Sequence, residues 1–118
     1  MKYYVDTERL FNFLERYYTV SKEAKSRITN LIVFKYQGLP VFEVHNISQF
    51  TIDDVTEKDL SIMENYAHII ASACMWCIMD DCYGKEAKEI FYTKKFYQKQ
   101  RIYLAIEMVR EKNIVYTR

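Results

Sequence analysis

The chain predicts a compact, mainly α soluble domain, and three observations carry that expectation. Two glycines and one proline in 118 residues leave few turns, so a handful of long elements must account for the fold. Apolar residues recur at helical spacing over most of the chain. Between Leu60 and Met79 they lie on almost every side of a helical wheel, the mark of a helix surrounded by other structure. Half of the residues are hydrophobic and 16% aromatic, enough for one domain to build a core without disulfide or metal staples. The expected architecture is four helices in a single domain, residues 1–118, around a central helix at about 57–83.

Residues 1–5 fit a short strand or an ordered tail. Asp6 or Thr7 can cap a first helix, with Glu8 near the positive end of its dipole. Leu10, Phe13, Leu14 and Tyr17, with Phe11 and Tyr18, supply its apolar stripe, and the helix should end near Thr19. Ser21 opens a second segment in which Ala24, Ile28, Leu31 and Ile32 share a face, stopped by Gly38 and Pro40. The β-rich run Ile32-Val33-Phe34 and the alternating Val41–His45 raise a competitor, a hairpin of 31–36 against 41–46. A small hairpin there would make the fold α+β; the balance favours a helix over 22–36.

Thr56 can cap the central helix, with Asp59 near the capping-box position and Gly84 as a left-handed C-cap. Lys85 to about Lys112 reads as one more long helix, bent near Thr93–Lys95, with Ile90, Phe91, Tyr97, Leu104, Ala105 and Met108 in its inward stripe. The tail Asn113–Arg118 frays or adds a short strand.

Net charge is only +1, so no global field steers the protein toward nucleic acid or membrane. Charge is nonetheless segregated: residues 51–84 carry one Lys and seven acids, residues 85–118 nine basic residues and four acids. An acidic helix lying beside a basic one would explain this. Asp80-Asp81 sits where the helix dipole disfavours anions, and Lys94 and Arg101, on the inward stripe, are the expected partners. The opening MKYYVDTERL has no apolar h-region, and Ala67–Met79 is too short to cross a bilayer. The expectation is a cytoplasmic location with free thiols.

Cys74, Cys77, Cys82 and His68 are four letters of a zinc site, but their spacing opposes one. On a continuous helix Cys74 and Cys82 are about 12 Å apart, His68 and Cys82 about 21 Å, whereas zinc needs ligands within about 2.3 Å of one point. His45 would have to arrive from elsewhere. Redox CxxC motifs place the first Cys at a helix N-terminus, and Cys74 is mid-helix. Buried thiols are the simpler reading, with no metal and no cofactor. Isolated Gly38 and Gly84 exclude phosphate-cradling loops, no GxSxG elbow is present, and the adjacent acids Asp53-Asp54 and Asp80-Asp81 point about 100° apart on a helix. No catalytic residue and no small-molecule substrate emerges. His68 shares a seam with Ser61, Asn65, Ser72, Met75 and Met79, suited to helix packing or to a partner surface.

The last helix offers the better working surface. Tyr92, Phe96, Lys99, Tyr103, Ile106 and Arg110 follow 4-3-4-3-4 spacing and form one stripe. Aromatic residues and Arg at this density suit a protein interface, with a partner or with a second copy. The window Tyr92–Arg101 carries four positive charges and no acid. That makes Lys94, Lys95, Lys99 and Arg101 candidate nucleic-acid contacts. The expected function is a non-enzymatic interaction protein of inhibitor or adaptor type; a nucleic-acid-binding accessory protein is the alternative. Abundant Ile, Lys and Tyr with little Gly and Pro is a composition common in AT-rich genomes, phages and other mobile elements included.

Overall fold

The computed structural model describes residues 1–41, 62–92, 95–111 and 113–118; within 82–92 and 95–98 the description is of the backbone. The fold is mainly α with one small sheet. In chain order come β1 (Lys2–Val5), α1 (Thr7–Leu14), α2 (Lys22–Leu31), a π-helical segment (Ile32–Tyr36), β2 (Leu39–Pro40), α3 (Ile62–Tyr92), α4 (Lys95–Arg110) and β3 (Val115–Thr117).

Both ends of the chain meet in the sheet, whose order is β2-β1-β3 and whose pairings are antiparallel. Tyr3 faces Thr117, Tyr4 faces Tyr116 and Val5 faces Val115. Strand alternation turns Tyr3, Val5 and Val115 into the core. Pro40 lies in β2, at the edge, where its missing N–H costs no ladder bond. Where β2 stops short of Val5, the Gln37 side chain takes its place along β1. Its Oε1 accepts the Val5 N–H at 2.8 Å and its Nε2 donates to the Val5 carbonyl at 3.0 Å. Gly38 makes the turn with φ +70° and gives its N–H to the Tyr3 carbonyl.

The caps expected from the sequence are present. Asp6 accepts the Arg9 N–H at the start of α1, and the Ser21 hydroxyl accepts the Ala24 N–H at the start of α2. α1 stops at Leu14 rather than near Thr19. Arg16 and Tyr17 give their N–H groups to the carbonyls of Phe13 and Leu14, the tighter three-residue pattern of a helix end. That turn swings Tyr17 out of the apolar stripe assigned to it, and the ring is 51% exposed.

Residues 22–36 are helical throughout, so 31–36 is not a hairpin strand; the opposing segment, 42–46, lies outside the described residues. The helix widens to π geometry at Ile32, and the Gln37 N–H closes it on the Ile32 carbonyl. The Tyr36 carbonyl receives the Tyr66 hydroxyl at 2.7 Å, which ties the end of this segment to α3.

α3 is the spine. From Asn65 to Met79 nearly every residue is buried, against α1, α2, the sheet and α4. It does not end at Gly84 but runs on to Tyr92, so residues 85–92 belong to the spine and not to the last helix. The proposed cap at Thr56 lies outside the described residues. α4 packs along α3 through Leu104, Ala105 and Met108 of the expected inward stripe; Ile90 and Phe91 of that stripe lie on α3 instead, and the Tyr97 side chain lies outside the described residues.

Candidate functional site

The outward face of α4 carries Lys99, Tyr103, Ile106 and Arg110, all exposed, at 4-3-4 spacing. Tyr103 is 61% exposed and Ile106 37%. With Leu104 and Ala105 facing inward, the 3.6-residue period leaves these four pointing away from the core. Tyr92 closes α3 and so does not ride on the same helix as the rest of the stripe. The side chains of Tyr92, Lys95 and Phe96, and all of Lys94, lie outside the described residues.

α1 completes the surface. Tyr17, in the turn after α1, and Tyr103 of α4 line one small cleft of about 20 Å³ with Phe13, Tyr18, Gln100 and Glu107. Phe13 is buried and meets the Tyr17 ring edge-on at 5.4 Å. Tyr18 donates its hydroxyl to Gln100 Oε1 at 3.3 Å, tying the α1 end to α4. Sequence reasoning missed Tyr17 because helical periodicity, extended one turn too far, assigns it to the core. Its position just past a helix end was the available signal.

Arg101 is on the other side of α4 and 1% exposed. It cannot reach a phosphate on the surface, which corrects its place among the nucleic-acid contacts; its position on the inward stripe foretold the burial. Asp80 takes a cation from α2: Arg27 Nη1 donates to its Oδ2 at 2.5 Å.

The His68 seam faces inward. Asn65, His68, Met75 and Met79 are all buried, so it is a packing surface. Neither ring nitrogen of His68 has a hydrogen-bond partner among the described residues. Burial, helped by the positive charge of Arg101, pushes its pKa down to about 4. Cys74 and Cys77 are buried and outside any disulfide, and burial pushes the Cys74 thiol up. No group of three or more His, Cys, Asp or Glu side chains among the described residues could hold a metal ion. Nor is any described helix long and apolar enough to cross a membrane.

No protein-family model matches the chain, and neither a curated protein nor a solved structure matches it.

Proposed function

We propose that this protein acts without catalysis, by binding a protein partner, as an inhibitor or adaptor would, through the outward face of α4 joined to Tyr17. One observation carries the reading: Tyr17, in the turn after α1, and Tyr103 of α4, both more than half exposed, converge on one cleft. A tyrosine has few rotatable bonds and a large amphipathic ring, so pairs of exposed tyrosines give contact area at small entropic cost. Ile106 extends the apolar surface, and Lys99 and Arg110 flank it, an apolar centre with a polar rim. A second copy of the chain would satisfy the same chemistry.

A photo-crosslinking residue at position 103, expressed in the native host, tests this. The expected result is one dominant crosslinked species, identified by mass spectrometry, absent when the probe sits at exposed Glu23. Tyr17→Ala with Ile106→Ala should remove it while the melting temperature holds. Crosslinking at 103 no more selective than at 23 would sink the reading. Binding of DNA or RNA that weakens steeply with salt and with Lys95→Glu and Lys99→Glu would transfer the assignment to nucleic acid.

A further inference from the structure

The partner's chemistry can be narrowed, on the premise that the face just described is a protein-binding surface. The cleft between Tyr17 and Tyr103 shares Phe13 as a wall with a second depression. The second has a volume of about 170 Å³ and is lined by Arg9, Asn12, Phe13, Arg16, Glu111 and Ile114. It is smaller than a small-molecule pocket, about 300–1,000 Å³. Along this side of α1 the order is aromatic to basic: Phe13 packs edge-on to Tyr17 on one side, and the Arg16 guanidinium lies 5.9 Å over its ring on the other. Arg9 and Asn12 lie one turn apart on α1, and Arg16 follows in the turn after its end.

The ion pairs around this surface are tilted toward positive potential. Arg9 pairs with Asp6, Arg16 with Glu111 and Arg110 with Glu107, and in each pair the guanidinium is more exposed than the carboxylate. The extreme is Arg110, 71% exposed against 22% for Glu107. Arg16 turns Nη1 to Glu111 and Arg9 turns Nε to Asp6. A planar guanidinium has five donors, so each can hold its internal acid and still take an incoming carboxylate.

We propose that this face captures an acidic peptide segment of the partner. One apolar or aromatic side chain of the segment packs on the exposed rings of Tyr17 and Tyr103, over a cleft too small to enclose it. A carboxylate next to it seats in the larger depression against Arg9 and Arg16. The two recesses are divided by a single ring, so the motif is short.

A random peptide display library panned against the intact protein tests this without knowledge of the partner. Enriched sequences should place an apolar or aromatic residue within a few positions of Asp or Glu. A synthetic peptide of that consensus, followed by fluorescence anisotropy, should lose about tenfold in affinity when its acid becomes the amide or when Arg16→Gln is introduced. Arg9→Glu should weaken it further, and added salt should weaken it in the wild type. Melting curves of the variants verify that they are folded; where Arg16→Gln is not, Asn12→Asp makes the same test by adding a negative charge. Enrichment of basic or uncharged sequences, equal binding to the Arg variants, or no enrichment over a Tyr103→Ala control would each overturn the proposal. Selective crosslinking at position 103 alongside any of those results would leave the partner-binding reading standing and remove only the acidic segment.

Discussion

Arg27 of α2 reaches across to Asp80 of α3, guanidinium Nη1 to carboxylate Oδ2 at 2.5 Å. The contact places a cation beside an anion within the polar stretch that follows the buried span of α3, and it raises the Arg27 pKa, first through that hydrogen bond. Both side chains retain solvent, so the pair contributes little to stability: about 0.2–1 kcal/mol for exposed pairs. Asp80→Asn should therefore lower the melting temperature by a few degrees at most at low salt. The difference should shrink at high salt, where the pair is screened. A large loss that salt does not change would mean that Asp80 does something other than meet Arg27.

That pair also marks where sequence reasoning stops. A charge deficit on residues 51–84 demanded basic neighbours, but which cation arrives depends on how α2 crosses α3, which no local pattern encodes. Leu104, Ala105 and Met108 were legible because burial along a helix follows a fixed period. The caps Asp6 and Ser21 were legible because their side chains bond within their own turn. The passage of α3 through Gly84 was not. A glycine costs only about 1 kcal/mol in a helix interior, so a lone Gly does not by itself end a helix. The site was half visible: Lys99, Tyr103, Ile106 and Arg110 follow from periodicity, whereas Tyr17 joins them only through the three-dimensional meeting of α1 and α4.

Gln37 and Gly38 allow a local test of the sheet. Gln37→Ala removes both bonds to the Val5 backbone and should cost about 2 kcal/mol, the range for orphaning partly buried backbone groups. Gln37→Glu keeps the acceptor but sets a carboxylate against a carbonyl, so it should rescue little of that loss. At Gly38 an added Cβ would lie 3.4 Å from the Tyr4 ring, which is tolerable space. The backbone at φ +70° is the obstacle, and Gly38→Ala should cost about 1 kcal/mol. Urea denaturation measures all three.

Cys74 and Cys77 should be chemically silent in the folded protein. Both are buried, and burial disfavours the Cys74 thiolate, the reactive form. Maleimide labelling read by mass spectrometry should leave both unmodified under native conditions and modify both in denaturant. Rapid native labelling of either would show that this part of α3 opens readily. Cys74→Ala should cost about 1–2 kcal/mol through the void it leaves, with no other consequence.

His68 makes the sharpest pH prediction. Its folded pKa, about 4, lies below the unfolded value of about 6.5, so the unfolded chain binds the extra proton first as pH falls. The neutral ring's contribution is complete above pH ~6.5 and is lost as pH falls from there through about 4. Within that window stability should decline by about 1.4 kcal/mol per pH unit from this residue alone. His68→Leu should flatten the difference curve between pH 6.5 and 4. At pH 7 the same change should be neutral or stabilising, since it replaces a buried ring without hydrogen-bond partners among the described residues by an apolar group. Arg101→Met removes the nearby positive charge and should raise the His68 pKa, followed by NMR of the ring protons. A His68→Leu variant whose acid denaturation profile overlays the wild type would show that the imidazole is not the acid-sensitive group in this core.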